Sequence, residues 1–73
     1  MTELGVYLAK RSINKSEVSR KTGISKPRLS ELTLKESAHL RAKELYLISL
    51  AIGADPCDVL KEIYSGISLE NGN

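Results

Sequence analysis

Seventy-three residues, 41% apolar and 27% charged, suffice for one small core and argue against both a second domain and a disordered chain. One Cys and one His exclude an internal disulfide and any Cys/His metal cluster, so neither metal nor cofactor is expected. The net charge of +2 hides a division, because residues 1–43 carry ten Lys/Arg against four acids while residues 44–73 carry one against five.

The elements read as five short helices. A first helix is expected from Glu3 to Arg11, capped by Thr2, with Leu4 and Leu8 on one face and Ile13 packing at the turn that follows. Asn14-Lys15-Ser16-Glu17 has the form of a capping box, which starts a second helix at Lys15; Gly23 stops it after Thr22. Ser25 caps a third helix, where Pro27 is tolerated because first-turn N–H groups have no helical acceptor. Leu29 and Leu32 form its inward stripe, and residues 34–40 connect it to the next element.

A fourth helix is expected over Arg41–Ile52, with Ala42, Leu45, Ile48 and Ile52 turned inward, Tyr46 at the margin of that face, and Gly53 ending it. Asp55-Pro56-Cys57-Asp58 opens a fifth, burying Val59, Leu60 and Ile63 against the fourth. Residues 1–65 then make one domain, and residues 66–73 a polar tail expected to fray. Alternating β-branched runs are missing, so the expected class is all-α, a compact five-helix domain. No apolar run approaches the ~20 residues of a membrane span and no signal pattern opens the chain, which points to a cytoplasmic protein without membrane contact.

The spacing in the second and third helices is the most specific feature. Small Ser19 falls on the inner face of the second helix and Gly23 follows four residues later, so two steeply crossing helices can meet at a sharp turn. Leu29 and Leu32 then fix the third helix from one side. At about 100° per residue, Pro27, Ser30, Glu31 and Leu34 point outward, with Lys26 and Arg28 flanking the N-terminal tip.

The run SEVSRKTGISKPRLSEL within residues 15–34 resembles the helix-turn-helix of the lambda-repressor/Cro-type family, and KELYLISLAIGADPCDVL resembles that family's fourth and fifth helices. The resemblance spans residues 4–64. It implies a lambda-repressor-like fold that binds double-stranded DNA, with the helix over residues 25–34 in the major groove. Base contacts are then expected from Lys26, Pro27, Arg28 and Glu31, and phosphate contacts from Lys15, Ser25, Lys35, Arg41 and Lys43. N–H groups at the starts of the second and fourth helices also suit phosphate.

Two departures from the family pattern stand out. The positions of its helix-one Arg and helix-three Glu hold Leu8 and Thr33, and its glutamate-x-glycine ending is replaced by Thr33-Leu34-Lys35-Glu36.

Plainer roles are expected elsewhere. Glu31 has Arg28 or Lys35 as an ion-pair partner, Arg20 and Lys21 are solvated, and His39 is a loop residue. Cys57 packs, and Tyr7, Tyr46 and Tyr64 lie at the edge of the core. No paired acids, nucleophile with base, or metal cluster supports an enzyme. The leading expectation is a cytoplasmic, nucleoid-associated, sequence-specific transcriptional regulator, binding as a homodimer in the manner of small family members and taking no small-molecule ligand. The alternative is an antitoxin-like protein-interaction module, for which the acidic C-terminal half leaves room as a protein-partner face.

Overall fold

In the computed structural model, which describes residues 1–70, five helices follow in order: α1 (Glu3–Lys10), α2 (Lys15–Thr22), α3 (Lys26–Leu34), α4 (Ala42–Ala51) and α5 (Pro56–Ile63). No strand occurs among the described residues, and the fold is all-α. Of the expected tail, residues 71–73 lie outside the described residues.

Side chains and turn residues mark most of the boundaries. Thr2 Oγ1 accepts from Gly5 N, Asn14 Oδ1 from Ser16 N and Glu17 N, Ser25 Oγ from Arg28 N, and Asp55 Oδ1 from Cys57 N. Arg11, Arg41 and Ile52, expected inside their helices, stand one step out as caps. Gly23 adopts φ +79°, a left-handed conformation that glycine takes without a Cβ penalty, and its N–H donates to Ser19 O at 2.9 Å to close α2.

The core is aliphatic, with one aromatic. Leu4, Leu8, Val18, Leu29, Leu32, Leu45, Ile48, Val59 and Ile63 are buried together with Tyr7. α1 packs on α3 and α5, α4 packs on α2 and α5, and α2 packs on α3. α3 thus rests on α1 and α2.

Several expected faces are corrected. Ala42 and Leu60 are exposed rather than inward, and of the three tyrosines expected at the edge of the core Tyr7 is buried while Tyr46 and Tyr64 are 54% and 42% exposed. In α5, burial follows the i, i+4 pair Val59–Ile63 and leaves Leu60 one position off that line. Cys57, expected to pack, is exposed.

Two buried polar residues sit in the core. Thr33 and Ser49 are both fully buried, and each hydroxyl donates to the carbonyl four residues back, Leu29 O at 2.9 Å and Leu45 O at 2.7 Å. That satisfies both groups within their own helices, without a cross-helix partner. At the positions where the family places an ion pair, Leu8 and Thr33 are simply buried, and no charge needs compensation.

Candidate nucleic-acid interface

The candidate interface is α3, which is fastened at both ends. At its C-terminal end, Thr2 N donates to Thr33 O at 2.9 Å and Thr2 Oγ1 donates to Leu32 O at 2.7 Å. These bonds satisfy two carbonyls in the last turn of the helix, where carbonyl groups lack helical partners. Gly5 lies directly against the same strip, since a Cβ at residue 5 would collide with the Thr33 carbonyl oxygen. The start of α1 and the end of α3 are thereby joined at the backbone.

The N-terminal end is held by Arg28. Its Nε donates to Glu44 Oε2 at 2.7 Å, and its Nη2 donates both to Glu44 Oε1 at 3.0 Å and to the His39 carbonyl at 2.9 Å. Nη1 lies 3.6 Å from Glu31 Oε1, which realises the Arg28 alternative among Glu31's expected partners. Arg28 was expected to face outward beside the groove residues; instead its side chain turns back toward α4 and is only 27% exposed. The physical reason is a forked, charge-assisted pair with a carboxylate that is itself 12% exposed.

Glu44 is not among the residues that the sequence singles out. It is the third residue of α4, and its Oε1 also accepts from Arg41 N at 3.0 Å. A Glu three residues after a helix cap is the signal that could have found it.

The bond from Arg28 holds the Glu44 carboxyl below the ordinary carboxylate value, outweighing burial, which pushes it up; the Arg41 N–H adds to the lowering. Glu44 therefore binds its proton more weakly in the folded state than in the unfolded one. Its stabilising contribution is complete above the unfolded value near 4.5 and is lost as pH falls through the lower folded value. In urea melts at stepped pH, the wild type should lose stability in acid more steeply than Glu44→Gln, and the two should converge once Glu44 is protonated. Parallel curves would refute this linkage. Glu17 is lowered the same way by Arg20, but that pair is exposed and contributes little.

The outer face of α3 is left open. Lys26, Pro27, Ser30, Glu31 and Leu34 are exposed, and with Ser25, Arg28 and Lys35 most of them border a shallow depression of about 510 Å³. Ser30, outward by periodicity but not expected as a contact, sits between Pro27 and Glu31 on this surface. Its walls offer an apolar edge, a hydroxyl and a carboxylate, the groups that distinguish thymine methyl and cytosine N4–H.

Exposed cations stand at the ends of the neighbouring elements. Lys15 begins α2, Lys35 caps the end of α3, and Arg41 and Lys43 stand at the start of α4; all four are exposed. The two helix starts differ from each other. At α2, Asn14 already takes two of the N–H groups expected to be available to phosphate, whereas at α4 the Glu44 carboxylate takes the Arg41 N–H. Ser25 is exposed, and while its Oγ accepts from Arg28 N its hydroxyl hydrogen can still be donated outward.

Among the described residues no group of three or more His, Cys, Asp and Glu could hold a metal ion, and no helix is long and apolar enough to cross a membrane. No curated protein and no solved structure gives a significant match to the chain. The Cro/C1-type HTH DNA-binding domain matches residues 3–63, from the first residue of α1 to the last of α5. The match runs over the glycine-turned pair α2–α3 and the three helices around it. The chain therefore belongs to the Cro/C1-type helix-turn-helix DNA-binding domains, and DNA is its partner.

Proposed function

We propose that the protein is a sequence-specific transcriptional regulator that lays α3 in the major groove of double-stranded DNA. The supporting observation is the open face of a helix held at both ends, with exposed cations at its own C-terminal end and at the starts of α2 and α4. Recognition helices read base edges with their N-terminal residues, which on α3 are Lys26 and Pro27, with Glu31 one turn on. Lys26 donates to guanine O6 or N7, Glu31 accepts from cytosine N4–H, and Pro27 meets a thymine methyl. Lys15, Ser25, Lys35, Arg41 and Lys43 take phosphates on either side and set the register. With DNA as its target, the protein works at the nucleoid, and regulation follows from occupying a promoter-proximal site.

Selection on random duplex DNA tests this directly. One short motif should be recovered, and two copies about one helical turn apart would mark a two-fold dimer on the DNA. The log of affinity should fall linearly with log salt with a slope of about −4 per protomer, from roughly four neutralised phosphates. Lys35→Ala or Arg41→Ala should each reduce that slope by about one. Lys26→Ala should instead weaken the selected site by about tenfold or more and relax its preference at one base pair. Recovery of no motif, with no binding to duplex DNA at low salt, would overturn the reading.

A further inference from the structure

We propose that Arg28 serves DNA binding as a positioning residue, a clamp between the start of α3 and the first turn of α4, rather than as a reader of bases. The inference rests on α3 being the recognition helix.

The hydrogen-bond inventory of the guanidinium carries the argument. Guanidinium has five N–H groups, and three of them are engaged: Nε–H with Glu44, and both Nη2 hydrogens with Glu44 and the His39 carbonyl. Two-bond recognition of guanine needs a pair of adjacent N–H donors on one edge. Arg28 offers two such edges, Nε with Nη2 and Nη1 with Nη2, and both require Nη2. Reading guanine would therefore break the clamp. The remaining donor, Nη1, faces the Glu31 carboxylate at 3.6 Å.

The packing explains what the clamp does. α3 rests on α1 and α2, while α4 rests on α2 and α5, so the two helices meet through a common neighbour and not by packing on each other. Arg28 spans them across 16 positions of sequence. It also ties in the His39 carbonyl, in the connection between the two helices. The C-terminal end of α3 is already joined to α1 through Thr2; Arg28 supplies the matching restraint at the end that carries Lys26 and Pro27. It fixes that end relative to Arg41 and Lys43, so base-facing and phosphate-facing groups keep one spacing. The charge that reads bases at this tip is then Lys26 alone.

Glu44 provides the discriminating test, because a clamp and a direct contact predict opposite signs for it. Binding is measured by fluorescence anisotropy across a salt series, on the duplex recovered by selection and on a random-sequence duplex, with circular dichroism confirming folding. Under the clamp, Glu44→Ala weakens the selected site by about tenfold although it removes a negative charge, which matches coupling between residues in direct contact. Arg28→Ala weakens it by the same factor, and the double variant by no more than either alone. All keep the wild-type salt slope. Arg28→Lys, which retains the charge but loses the fork, behaves like Arg28→Ala.

If Arg28→Ala fails to fold, Glu44→Gln, which preserves shape, carries the test and should still lose affinity. Unchanged or tighter binding by both Glu44 variants overturns the clamp, as does a slope reduced by about one in Arg28→Ala but kept in Arg28→Lys. A wild type that selects no duplex overturns the recognition-helix reading and the clamp with it, whereas a wild type that binds while Glu44 proves neutral overturns the clamp only.

Discussion

Gly5→Ala should destabilise the domain by about 1–3 kcal/mol, although alanine inside a helix ordinarily stabilises it by roughly 0.5–1 kcal/mol relative to glycine. The reversal comes from the contact between α1 and α3. The new Cβ would overlap the carbonyl of Thr33 and meet the Met1 side chain. Met1 is flexible and can move aside. Thr33 O cannot, because it belongs to the backbone of α3 and accepts the bond from Thr2 N. α1 and α3 must separate, which stretches that bond and the one from Thr2 Oγ1 to Leu32 O. Gly66→Ala is the matched control, since nothing lies within 4 Å of its added Cβ. Urea unfolding should show a clear fall in midpoint for Gly5→Ala and little change for Gly66→Ala. The same variant should bind DNA more weakly at temperatures where it is still folded, because the end of α3 has moved. An unchanged midpoint would mean that α1 and α3 can part at no cost.

Local chemistry explains why so much of the architecture was readable. The Asn14 and Ser25 caps, the Gly23 turn, Pro27 in a first turn and the Leu29/Leu32 stripe act within a few residues of one another, and each appears where the spacing predicts. Failures came where the decisive partner lies far along the chain. Nothing near Arg28 announces Glu44, sixteen positions away. Nothing near Gly5 announces the Thr33 carbonyl, and a helical glycine without a visible partner reads as mere weakness. α4 was legible in part: Leu45 and Ile48 are buried and Ile52 packs on the core as the periodicity predicts, while Ala42 is exposed. Its run Leu45-Tyr46-Leu47-Ile48-Ser49-Leu50 is apolar on nearly every side, so periodicity does not fix the margins of the buried face. The structure buries Leu45, Ile48 and Ser49 and exposes Tyr46 and Leu50, and the small Ser49 satisfies its own hydroxyl to make that possible. Of the candidate site, the exposed face of α3 was legible because it is the complement of the leucine stripe. The inward turn of Arg28 was not, because outward periodicity describes where a Cβ points and says little about where a long side chain ends.

Ile48→Ala should be the most damaging single truncation in the core, costing about 2–5 kcal/mol. Ile48 is fully buried on α4, the helix that packs on both α2 and α5, and a cavity there would loosen the support of the helix-turn-helix from behind. A domain of this size has a total stability of roughly 4–11 kcal/mol, so the loss takes a large share of it. The midpoint of thermal unfolding should fall by about 10 °C or more, while Ile48→Val should cost only about 0.5–1.5 kcal/mol. DNA binding separates this damage from loss of a contact. Ile48 is remote from solvent and touches no DNA group, so the folded fraction of Ile48→Ala should bind with the wild-type salt slope and the wild-type base preference. Only the apparent affinity should drop, in proportion to the folded fraction. Because duplex DNA binds the folded state, excess target should also raise the melting midpoint of the variant. A changed salt slope or base preference in folded Ile48→Ala would instead mean that packing behind α2 and α4 sets the pose of α3 on the DNA.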